Sequence, residues 1–90
     1  MDTLDKLRTE IDRTDRELTE LFEKRMKTVL EIAMFKKENG IEILNAGREE
    51  KVLENAVGNL TDEDLTDEVK EFFTDLMTIS RNYQKRKMEE

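Results

Sequence analysis

The chain has 90 residues, 36% hydrophobic and 43% charged, a net charge of −7, and neither His nor Cys. This length makes one domain, residues 1–90, with a modest core, so oligomerisation is a live option. The acidity argues against general affinity for nucleic acid or an anionic membrane, and the missing residue types exclude disulfides, thiolate chemistry and the usual proton shuttle.

Zero Pro and three Gly leave few turns, which predicts an all-α chain of few, long helices. Disorder is the competing reading at this charge level, and the clean apolar seams argue against it. No apolar run resembles a signal peptide or a membrane span, so a cytoplasmic protein is expected.

The first helix is expected over residues 3–37. Asp2 or Thr3 can cap it. Asn39-Gly40 can end it, with Lys36 and Lys37 in the last turn where the helix dipole favours cations. Such a helix is a rod of about 50 Å. At about 100° per residue, Leu4, Leu7, Ile11, Leu18, Phe22 and Val29 share one line. Arg25 and Lys36 fall on the same line, with Arg8 and Asp15 at its margin. Two readings stay open for these cations: snorkelling or ion pairing between helices, or a ligand site.

Ile41-Glu42-Ile43-Leu44 is too short for a helix and reads as a connector. Asn45 is a good N-cap for a second helix over residues 46–57, ended by Gly58-Asn59. Its apolar positions are Val52, Leu53, Ala56 and Val57, and Arg48 and Glu49 share the inward face one turn earlier. Gly47 in its first turn is a poor helix former without an evident reason.

Thr61 and Thr66 each offer a start for the third helix, rich in first-turn acids, which runs to about Lys87. Leu65, Val69, Phe72, Phe73, Leu76, Ile79 and Tyr83 form its stripe. Ser80 continues that row and Gln84 follows at the margin; taken singly, Ser80 can bond back to its own helix and Gln84 can be a solvated rim residue. One long, one short and one medium helix do not match in length. The uncovered seam of the first is easiest to bury against a second copy, in a two-fold pair.

The inward polar set is Arg8, Arg25, Lys36, Arg48, Glu49, Ser80 and Gln84: four cations against one acid. A small dianion fits it. Arg25 and Lys36 are about 16 Å apart along the helix, so their long side chains can converge on one ligand. Arg8 is about 25 Å from Arg25 and can join only from an antiparallel partner helix. Ser80 has no His to activate it, and Glu49 is a lone inward carboxylate, so nucleophilic and paired-carboxylate chemistry are unsupported. A single Glu with Gln and Ser is a poor metal shell. Electrostatic and conformational catalysis, or plain binding, remains.

The ordered frame Leu7-Arg8-x-x-Ile11-Asp12-x-x-Asp15, then Arg25, Lys36, Asn45-x-x-Arg48-Glu49 and Ser80-x-x-x-Gln84 resembles the all-α chorismate mutases over nearly the whole chain. The resemblance implies an intertwined homodimer of three-helix chains that rearranges chorismate to prephenate without cofactor or metal. Carried over by position, it implies that Arg25 binds one substrate carboxylate and Arg8 of the other subunit binds the second. Lys36 and Gln84 would donate to the ether oxygen, and Glu49 would take the ring hydroxyl, helped by backbone near Asn45. Arg48 and Ser80 would support the carboxylate contacts. Position 45 is often Asp in the family and is Asn here.

Relatives of this kind also occur fused before a prephenate dehydratase, so the chain can be an enzyme or a domain of a larger one. Two other functions stay open. One is a lyase on the same scaffold that releases pyruvate from isochorismate. The other is a non-catalytic helical dimerisation module.

Overall fold

In the computed structural model, which describes residues 2–89, the first helix begins at an acid that caps it. The Asp2 side chain accepts the Asp5 backbone N–H at 2.8 Å, and α1 runs from Thr3 to Glu38 without a break. Its end is a glycine turn: Ile41 N–H donates to the Lys36 carbonyl at 2.8 Å and Gly40 N–H to that of Lys37 at 3.4 Å. Gly40 sits at φ 64°, where a side chain would be strained, so this helix end needs its glycine.

The connector that follows carries neither helix nor strand. Asn45 then caps α2 (Ala46–Gly58), its Oδ1 accepting the Arg48 backbone N–H at 3.0 Å. The helix runs one residue past its expected end, and Asn59 rather than Gly58 is the C-cap. A Cβ at Gly47 would meet only Asn45 Oδ1 at 3.6 Å, so sterics do not explain that glycine. Both expected starts of the third helix are used in turn. Asp62 accepts the Asp64 N–H at 3.0 Å and opens one 3-10 turn, Glu63–Leu65. Helix α3 (Thr66–Met88) follows at once, the Thr66 hydroxyl donating back to the Glu63 carbonyl at 2.8 Å.

Helix α3 packs on both α1 and α2. Ser80 meets Arg25, Gln84 meets Val29 and Lys37 meets Met88, so the second half of α1 and α3 run parallel. The buried apolar core is Met26, Val29 and Ala33 of α1, Ala56 of α2, and Leu76 and Met77 of α3.

Helix α3 turns inward a different line from the one its apolar residues predict, while α1 keeps its seam inward only where α3 covers it. Of the α1 seam, the chain itself buries Val29, while Leu4, Leu7, Ile11, Leu18 and Phe22 stay exposed. In α3, Leu65, Phe72 and Ile79 are exposed and Met77 is buried instead. The cause is that α3 lies against two neighbours and presents to them the arc between, not its most apolar row.

The molecule is all-α among the described residues. Its radius of gyration is 16.4 Å, against about 12 Å for a compact domain of this length. Extents of 56 × 30 × 15 Å describe a slab one layer of helices thick, since one helix with side chains is about 10–12 Å across. Residues 3–24 are exposed throughout, so most of the apolar seam has no cover within the chain. No helix among the described residues is long and apolar enough to cross a membrane.

Candidate active site

The second half of α1, the connector, the first turns of α2 and the C-terminal half of α3 surround a cavity of about 150 Å³. Arg25, Lys36, Asn45, Arg48, Glu49, Ser80 and Gln84 all line it, so seven of the eight candidate residues come together. Arg8 does not join them. It is exposed on the uncovered part of α1, about 25 Å along the helix from Arg25. The wall is completed by Val29, Ile32, Ile43, Val52, Met77 and Arg81.

Most of the polar side chains are held by an identifiable partner. Ser80 does bond back to its own helix, its hydroxyl donating to the Leu76 carbonyl at 2.8 Å. That bond turns a lone pair toward α1, where Arg25 Nη1 donates to Ser80 Oγ at 3.0 Å. Ser80 therefore bonds back to its own helix and at the same time accepts from Arg25 on the cavity wall. Gln84 is buried, and its Nε2 donates to the Val29 carbonyl at 3.2 Å. This bond sets which end of the amide faces α1, and the amide nitrogen keeps a second N–H. Lys36 Nζ donates to the Ile43 carbonyl at 2.8 Å, tying the connector to the end of α1; an ammonium has two further N–H groups to offer. Asn45 spends its side-chain oxygen on the α2 cap and its carbonyl on the Glu49 N–H at 3.0 Å, which leaves its side-chain amide N–H groups to offer a ligand.

The cavity carries four cations, Arg25, Lys36, Arg48 and Arg81, and one carboxylate, Glu49, in a chain whose net charge is −7. Burial first, and the neighbouring Arg48 second, push the Arg25 guanidinium below its ordinary value. A guanidinium keeps its proton at physiological pH regardless. The shift therefore records first a guanidinium drawn out of water and second a neighbouring cation, and a bound anion offsets both.

Arg81 was not visible as a candidate from sequence. It follows Ser80 and sits one turn from both Met77 and Gln84, on the side of α3 that faces α2. Its Nη1 pairs with Glu49 Oε2. Nothing near Arg81 in sequence announces that partner.

A larger groove, about 620 Å³, runs along the other flank of the α1–α3 contact and is lined by Phe22, Met26, Leu30, Ile79, Tyr83 and their neighbours. Its wall carries two cations, Lys27 and Arg86, and one carboxylate, Glu23, against the four cations of the smaller cavity. Among the described residues, no group of three or more His, Cys, Asp or Glu is placed to hold a metal ion.

An all-α chain that gathers cations, one carboxylate and two neutral hydrogen-bonding side chains around a small cavity is of the class that handles small dianions without a nucleophile. Residues 7–85 match the chorismate mutase type II family, and the chain belongs to that family. It is an enzyme of the chorismate mutase class, an isomerase of aromatic amino-acid biosynthesis with chorismate as the substrate the family implies. Among curated proteins, none matches the chain.

Proposed function

We propose that this chain converts chorismate to prephenate, on the route to Phe and Tyr, at a site completed by a second copy of itself. The observation that carries this reading is the convergence of Arg25, Lys36, Arg48, Glu49, Ser80 and Gln84 on one cavity. The rearrangement is intramolecular: an ether C–O bond breaks as a C–C bond forms, and no proton or cofactor takes part. The enzyme's task is to hold a compact conformer and to stabilise negative charge growing on the ether oxygen.

One substrate carboxylate sits on Arg25, which Ser80 orients, with Arg48 beside it. The other takes Arg8 of the second copy. Lys36 and the free N–H of Gln84 donate to the ether oxygen, and Glu49 accepts the ring hydroxyl. Asn45 acts by capping α2 and so placing Arg48 and Glu49 in its first turn. Asp and Asn cap about equally well, so Asn at this position leaves the site intact.

The cytoplasm is the compartment that fits, and neither nucleic acid nor membrane is a partner of so acidic a chain. The competing activity is release of pyruvate from isochorismate. Glu49 and Gln84, placed for the ring hydroxyl and the ether oxygen, favour the mutase. Loss of chorismate absorbance with prephenate as product supports the proposal. Pyruvate from isochorismate, with chorismate untouched, contradicts it.

Two further results are expected. The bare α1 seam and the apolar groove beside it call for a homodimer, so the melting temperature should rise with protein concentration. Sedimentation at micromolar concentration should find twice the chain mass, whereas an active, folded monomer would rule out the shared site. Gln84→Glu should make turnover depend on acid, because Glu donates to the ether oxygen only when protonated. Activity of the variant then falls as the pH rises through the range where that carboxyl ionises. A pH–rate profile flat through neutrality would remove Gln84 from the ether oxygen.

A further inference from the structure

We infer that Arg81 is a positioning residue for Glu49, holding its carboxylate against α3 with one oxygen left for the substrate. The inference rests on the mutase reading above. Arg81 Nη1 donates to Glu49 Oε2 across the α2–α3 contact. Its Nη2 lies 3.3 Å from Thr78 Oγ1, one turn back on α3. Two anchors fix the guanidinium plane and so the direction from which Glu49 is held. A carboxylate offers about four lone-pair positions over two oxygens. Arg81 occupies Oε2 and leaves Oε1 for a hydroxyl donor.

The pair has little to do with stability. The Arg81 and Glu49 side chains are 26% and 27% exposed, and ion pairs that water reaches contribute little to folding. Its consequence is local. Glu49 is the one carboxylate on a wall that also carries Arg25, Lys36 and Arg48. Released from Arg81, it is free to turn to one of those cations. That contact removes the hydroxyl acceptor and also neutralises a cation meant for a substrate carboxylate. Arg81 prevents both with one ion pair.

Arg81→Gln, Glu49→Gln and the double variant test this. Arg81→Gln is expected to lower kcat/KM for chorismate about tenfold, within the range of coupled neighbours, chiefly through a raised KM and with the thermal melt unchanged. The double variant should be no worse than Glu49→Gln alone, and its KM should fall below that of Arg81→Gln because the competing carboxylate is gone. Should Arg81→Gln melt early, Thr78→Val removes only the second anchor and is expected to raise KM in the same way, again cancelled by Glu49→Gln. If the wild type rearranges chorismate while Arg81→Gln matches it, or the two losses multiply, the positioning role is overturned and the mutase reading stands. A wild type without turnover overturns that reading first, and the role with it.

Discussion

Lys36→Ala is expected to lower kcat by about two to three orders of magnitude while the fold survives. Two effects of the lysine compete, and their sizes separate them. Its hydrogen bond to the Ile43 carbonyl, at 2.8 Å, fastens the connector to α1. A bond from a charged donor contributes about 1.5–3 kcal/mol to stability. A donor that faces charge developed only in the transition state is worth about 3–4 kcal/mol of barrier. The ammonium is half-buried at the rim of the cavity, with donors beyond the one that Ile43 takes. The catalytic loss should therefore outweigh the structural one. Kinetics and thermal melts on the same sample read the two separately. A weakened fold with unchanged kcat would make Lys36 a strut for the connector and nothing more.

The helices were legible because their ends are written locally. Asp2 and Asn45 accept backbone N–H groups three residues on, and Gly40 supplies the left-handed turn that closes α1. Six candidate site residues, Arg25, Lys36, Arg48, Glu49, Ser80 and Gln84, were legible for a related reason: each sets a polar side chain on or beside an apolar row at helical spacing, while Asn45 was legible as a helix cap. The periodicity of Leu4 to Phe22 says that these residues need burial, but not against what, and the single chain leaves them bare. The inward arc of α3 was less legible. Its centre depends on where α1 and α2 sit, so Met77 belongs to the core while Phe72 and Ile79 do not. Arg81 was missed for that reason too. A charged residue beside Ser80 reads as a solvated flank, and its partner Glu49 is 32 residues away in sequence. The Lys36–Ile43 bond depends on how the connector folds back after Gly40, which no spacing rule supplies.

Arg8 ties the architecture to the chemistry. It is exposed on the uncovered part of α1, and about 25 Å of helix separates it from Arg25. Within one chain the two arginines cannot share a ligand. In an antiparallel two-fold pair of α1 helices, Arg8 of each copy can approach the Arg25 of the other. Arg8→Ala and Arg25→Ala are accordingly each expected to be nearly inactive as homodimers.

Unfolding the two variants together, mixing them equally and refolding is the most direct measurement. Random pairing makes about half of the dimers mixed. In a mixed dimer, one site takes Arg25 from the Arg8→Ala chain and Arg8 from the Arg25→Ala chain, and is whole; the other lacks both. Chorismate mutase activity should therefore return to about a quarter of the wild-type value. If mixing restores nothing although mixed dimers form, Arg8 does not act across the dimer, and the shared site is contradicted.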